Sequence, residues 1–135
     1  MDKINLTLGR ALLSAIFLIS GVGKLAHWSA TADAMAKAGL PAANLLLALS
    51  IAVEVGGGLL LLLGIKVRYV ALVIAAWLVP VTLVFHNFWA YHGPEQQGQV
   101  VNFLKNLAII GGLLLAAGQA AVAKHVAAAG GSART

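Results

Sequence analysis

Four apolar runs, at residues 4–23, 44–65, 69–88 and 100–122, are each long enough to cross a lipid bilayer as a helix, and they take up most of a 135-residue chain. Hydrocarbon offers no partners to backbone amides, so runs of this length must satisfy their own hydrogen bonds as helices. The chain is 61% hydrophobic and 10% charged, more apolar than one soluble core of this size can hide. The expected fold is therefore an all-α membrane protein, a four-transmembrane-helix bundle over residues 1–123, with 124–135 as a flexible cytoplasmic tail. Its first partner is the lipid bilayer.

The joint between the first two runs, from His27 to Ala43, contains Ser29 as a candidate N-cap, then an Ala-rich stretch stopped by Gly39 and Pro41. This predicts a short interfacial helix whose thin apolar face suits a connector without a binding role.

Nine Lys and Arg against four Asp and Glu give a net charge of +5. The basic residues stand singly at helix ends and form no face that nucleic acid could use. They report topology instead. Lys3, Arg10, Lys66, Arg68, Lys124 and Arg134 flank one side of the spans, and only Lys24, Lys37 and Lys105 flank the other. The positive-inside rule then puts both termini in the cytoplasm. A cleavable leader ending near Ala30-Thr31-Ala32 fits poorly, because the first apolar run is long for a leader and Lys24 interrupts the approach to that site.

The chain has no cysteine, which excludes a dithiol pair, a thiolate-held iron-sulfur cluster and covalently attached haem within it. His27, His86 and His92 show no i, i+4 pairing of the kind a helical metal site uses. Metal is not expected, and any electron chemistry needs a borrowed group.

One carboxylate stands out. Glu54 falls near the midpoint of the second run, about 33 Å long at ~1.5 Å per residue, whose interior otherwise holds nothing more polar than Ser50. A charged, unpaired carboxylate at the bilayer centre costs several kcal/mol on insertion scales (roughly 3), so it needs a partner. Arg10, from the cytoplasmic side, and Lys105, from the outer side, are the two candidates, and each could instead snorkel to its own interface. With His86, Asn87 and Asn106 they define a candidate polar pocket in the outer half of the bundle, Glu54, His86, Asn87, Lys105 and Asn106 lining it and Arg10 closing it from below. Carbonyl or phenolic oxygens, as on a quinone head group, would suit such a pocket. The plain alternative is a buried ion pair that only fixes helix register. Small residues at four-residue spacing, Ala48, Ala52 and Gly56 in the second run and Ala108, Gly112, Ala116 and Ala120 in the fourth, predict close helix packing.

Arg10, Ser20-Gly21-Val22-Gly23-Lys24-Leu25, Glu54-Val55-Gly56-Gly57-Gly58 with Gly64, Phe85-His86-Asn87-Phe88 and Lys105-Asn106-Leu107-Ala108-Ile109-Ile110-Gly111-Gly112 together resemble the DoxX family. The resemblance runs from about Leu8 to Gly118. It implies a small multi-pass protein of the bacterial inner membrane, related to the DoxD-type subunit of thiosulfate:quinone oxidoreductase and without a redox centre of its own. It further implies quinone as a candidate cofactor and oxidoreductase or sulfurtransferase proteins as partners; a homo-oligomer is a candidate assembly on other grounds, four helices being few for an alternating-access transporter. Two other functions are weighed against a redox-complex subunit: a small transporter or permeability factor using Glu54 as a proton or substrate site, and a purely structural membrane anchor.

Overall fold

The computed structural model describes residues 3–132. They form α1 (Lys3–Ala26), the short α2 (Trp28–Lys37), α3 (Ala43–Ile51), a π-helical turn (Ala52–Gly56), α4 (Gly57–Leu63), α5 (Val67–Phe85), a 3-10 turn (Phe88–Ala90) and α6 (Gly93–Ser132). Helix α3, the π turn and α4 follow without a break as one span, Ala43–Leu63, so four stretches are long and apolar enough to cross a membrane. No strand occurs among the described residues. The four-span all-α fold is as expected.

Two boundaries differ from the sequence reading. Helix α2 begins at Trp28, with His27 at the N-cap position and no side-chain cap, because the backbone of α1 continues almost unbroken: His27 N–H donates to Gly23 O and Thr31 N–H to His27 O, both at 3.0 Å. Ser29 therefore lies inside the helix. Helix α6 begins at Gly93, seven residues before 100, and continues past 122 to Ser132. Pro94 and Glu95, which read as loop, are first-turn residues, where a missing N–H is harmless and a carboxylate meets the positive end of the helix. Residues 133–135, the end of the predicted tail, lie outside the described residues.

The bundle interior forms where Phe17 of α1, Leu61 of α4, Ala71, Ile74, Ala75 and Leu78 of α5, and Leu113 and Ala117 of α6 meet. Along α5 the buried residues recur at i, i+3, i+4, i+7 and i+11, one face of a helix. The other faces are apolar too. Ile4 is 78% exposed, Leu12 67% and Leu115 74%, and such a shell is stable only against lipid.

In the second run the glycines that permit close approach differ from the one in the predicted ridge, whereas in the fourth run the ridge residue Gly112 does make the contact. Ala48 and Ala52 are exposed, and a side chain at Gly56 would meet nothing within 4 Å. That ridge lies on the side of the span turned away from Leu47, Ser50 and Glu54, because regular spacing defines a face without saying which neighbour it meets. Contact is made by Gly21, Gly57, Gly58 and, in the fourth run, Gly112. The α4–α5 turn is set by Gly64 (φ +74°), with Ile65 N–H donating to Leu60 O at 2.9 Å, as in a left-handed helix C-cap.

Helix α1 is offset along the span it packs against and stops short of its Ala43 end. Gly21 meets Val55, leaving five residues of α1 beyond that level and twelve of the second span, a difference of about 10 Å at ~1.5 Å per residue. Helix α2 folds into that space. Its Ala32 and Met35 pack on Leu47, with Trp28, Leu40 and Phe85 at the edge, and Trp28 Nε1–H donates to Asn44 Oδ1 at 2.8 Å.

Candidate functional site

The carboxylate of Glu54 is paired with Lys24. The ammonium lies 2.9 Å from Oε1 and 2.8 Å from Oε2, and Ser50 Oγ–H donates to Oε1 at 3.0 Å. Lys24 also donates to Ser20 Oγ at 2.7 Å. Each ion is thus backed by a serine one helical turn earlier in its own helix, Ser20 behind Lys24 and Ser50 behind Glu54. A buried pair repays its desolvation only when the remaining donors and acceptors are satisfied in this way.

Backbone features bring the pair together. Glu54 sits at the centre of the π turn, where the i→i−4 ladder gives way to a wider coil. Facing it, Gly21 lets the α1 backbone come so near that an added Cβ would lie 2.6 Å from Val55 Cγ2 and 3.2 Å from Glu54 Cβ. Lys24 follows three residues later, on the same face, within reach of the carboxylate.

Beside this pair, in the space that α1 leaves and α2 roofs, lies a cavity of about 600 Å3. Lys24 and Ser50 supply polar groups to its wall, Thr31 and Met35 of α2 another side, and Trp77, Val84 and His86 the α5 side. The connector therefore walls the cavity, a role its thin apolar face did not announce. Trp77 Nε1 is buried without a hydrogen-bond partner. His86, at the C-cap of α5, bonds through Nδ1 to Gln99 Oε1 of α6 at 2.9 Å. The amide oxygen only accepts, so the contact calls for a hydrogen on Nδ1, and in the tautomer that carries its hydrogen there Nε2 is an acceptor.

The six residues expected to share one pocket are dispersed. Glu54 borders this region through Lys24 and Ser50, and His86 lines the cavity. Asn87 is half-buried and accepts from Ala90 N–H through its carbonyl in the 3-10 turn. Asn106 is buried between α5 and α6, its amide donating to Thr82 Oγ at 3.0 Å, while Thr82 donates to Leu78 O at 2.6 Å. Lys105 is exposed and bonds Asn102 Oδ1 at 3.0 Å. Arg10 lies against Gly64, some fourteen residues down α1 from Lys24, or about 21 Å. Neither Arg10 nor Lys105 partners Glu54. Lys24 was missed because its place near the end of α1 reads as an interfacial marker; the signal was the pair of matched i, i+4 spacings, Ser20 with Lys24 and Ser50 with Glu54. Among the described residues no three His, Asp or Glu side chains gather as a metal ligand set.

Four apolar spans around a part-buried, hydrogen-bonded lysine–glutamate pair define a small multi-pass membrane protein. The DoxX family model matches residues 5–87, and the chain belongs to the DoxX family. The matched stretch holds both ions, both serines and His86; the Lys105–Gly112 motif lies beyond it. Among its relatives, the inner membrane protein YqjF of Escherichia coli (strain K12) is 32% identical over 117 residues, covering 87% of this chain and 85% of its own. The inner membrane protein YphA of the same organism is 29% identical over 114 residues, covering 84% and 81%. No solved structure matches.

Proposed function

We propose that this DoxX protein is the membrane subunit of a redox complex and that the cavity beside Lys24 and Glu54 receives the head group of a quinone. The observation that carries the reading is the cavity itself. Its volume of about 600 Å3 falls in the range of small-molecule sites, its walls are chiefly apolar, and its polar groups are few and of the right kind. The ammonium of Lys24, its three hydrogens committed to Ser20 and Glu54, would act on a head-group carbonyl through its charge, and His86, in the tautomer whose Nδ1–H donates to Gln99, keeps an acceptor for a phenolic hydroxyl. Membership of the DoxX family supports the redox assignment through the resemblance to the DoxD-type subunit. Electrons would come from and go to a partner protein, and the residues of this chain would bind and orient the head group.

The test is purification of the full chain in mild detergent, followed by mass spectrometry of extracted quinones and co-purifying proteins, with Val84→Trp as the comparison. Filling the cavity with an indole is expected to lower quinone retention about tenfold or more while the variant stays helical and monodisperse. Equal retention by wild type and variant, or no quinone and no protein partner together with substrate flux in liposomes, would overturn the proposal and favour a transporter.

A further inference from the structure

A second cavity, of about 480 Å3, lies at the opposite end of the bundle, where the α4–α5 turn meets α1 and α6. We infer that it binds one anionic phospholipid, its phosphodiester held by the Arg10 guanidinium and an acyl chain lying along the groove between α1 and α6. Among the described residues no carboxylate pairs with Arg10. The ion pair among the described residues joins Lys24 to Glu54. The other described acids, Asp33 in α2 and Glu95 in the first turn of α6, belong to the far end. Arg10 Nε is buried without a hydrogen-bond partner, and the guanidinium packs against Gly64, its nitrogens 3.1 and 3.3 Å from where a Cβ would sit. An unneutralised guanidinium in apolar surroundings is costly, and its planar fork matches two oxygens of a phosphate.

The groove fits the rest of a lipid. It runs from Asn5 and Ala123 at the bundle end to Leu13 and Gly112 within the span. The eleven steps of α6 from Gly112 to Ala123 at ~1.5 Å each make about 16 Å, close to half the ~30 Å hydrocarbon thickness and so to the depth of one leaflet. At its inner end the two helices touch, since a Cβ on Gly112 would lie 3.2 Å from Leu13 Cδ2. Toward the bundle end the small Ala116 and Ala120 leave room between the apolar Leu12 and Leu115. Polar side chains, Asn5 and Gln119, join Arg10 in the wall. The exposed Lys3, Lys66, Arg68 and Lys124 surround the same end, giving it the positive field that draws anionic head groups. This site is separate from the proposed quinone cavity and does not depend on it.

The experiment delipidates the full chain in detergent, adds back phosphatidylglycerol or phosphatidylcholine of identical acyl chains, and counts bound lipids by native mass spectrometry. Wild type should retain phosphatidylglycerol about fivefold better than phosphatidylcholine, whose choline already neutralises its phosphate, the effect of roughly one cation beside one net negative charge. Arg10→Gln should remove that preference, Arg10→Lys should keep part of it, and Ala116→Leu, which fills the groove and leaves Arg10 intact, should lower retention of both lipids. Circular dichroism and gel filtration check folding, and Ala116→Leu decides the matter if Arg10→Gln does not fold. Wild-type retention in both Arg10→Gln and Ala116→Leu would overturn the inference. So would an equal loss in Lys124→Gln, which would mark a diffuse basic surface, or displacement of the lipid by equimolar glycerol 3-phosphate, which would mark a soluble phosphate site.

Discussion

Replacing Lys24 with Met tests whether the pair with Glu54 holds α1 against the π turn. The substitution keeps the length of the side chain and removes the ammonium that contacts both carboxylate oxygens, leaving Glu54 with only the Ser50 hydroxyl. Removing one partner of a buried pair costs about 3–5 kcal/mol, and the Glu54 side chain is only 8% exposed. Glu54→Leu should cost less, roughly 1–3 kcal/mol, because the Lys24 side chain is 26% exposed and keeps Ser20 as an acceptor. The double variant removes both charges, and apolar replacements for a buried pair are often close to neutral, so it should fall within ~1 kcal/mol of wild type. The three variants therefore form a cycle with a coupling of at least about 3 kcal/mol. Unfolding in mixed micelles by rising mole fractions of dodecyl sulfate, followed by far-ultraviolet circular dichroism, measures each corner. A Lys24→Met variant within ~0.5 kcal/mol of wild type, or single effects that simply add in the double variant, would refute the reasoning.

Gly21→Ala places a methyl group 2.6 Å from Val55 Cγ2, so α1 and the π turn must separate. It should lower stability by about 1–3 kcal/mol in the same assay, and the loss should shrink in a Val55→Ala background. Asn106→Leu removes the bond to Thr82 from a buried position between α5 and α6. Thr82 still donates to Leu78 O, so the expected loss is about 1–2 kcal/mol, whereas a neutral result would show that the amide is not bonded there.

The spans were legible because hydrocarbon leaves a long apolar run little choice but helix. Glu54 was legible for the same reason, as a carboxylate in the middle of such a run demands compensation. Its partner was harder to see. Arg10 and Lys105 were favoured for lying inside their runs, but depth within one's own span says little about level in the bundle when spans are offset along their axes. Gly21 sets that offset for α1 by packing on Val55, so a lysine near the end of one helix meets a glutamate at the middle of another. The pocket was misplaced through the same offset: what opens beside the pair is the space above the end of α1, roofed by a connector whose composition announced no such role. The ridge at Ala48, Ala52 and Gly56 failed differently, because four-residue spacing identifies a stripe on a helix and only the assembled bundle says whether lipid or protein lies against it.

The order of the two ions along the chain bears on biosynthesis. A leucine-rich span such as Ala43–Leu63 carries enough apolar surplus to enter the bilayer despite a central acid, at roughly 3 kcal/mol on translocon scales. Lys24 is translated thirty residues before Glu54, so the counter-ion is already at the membrane when the acid emerges from the ribosome. The first two spans can thus leave the translocon as a neutralised hairpin, and α5 and α6 assemble onto a unit whose electrostatic problem is already solved.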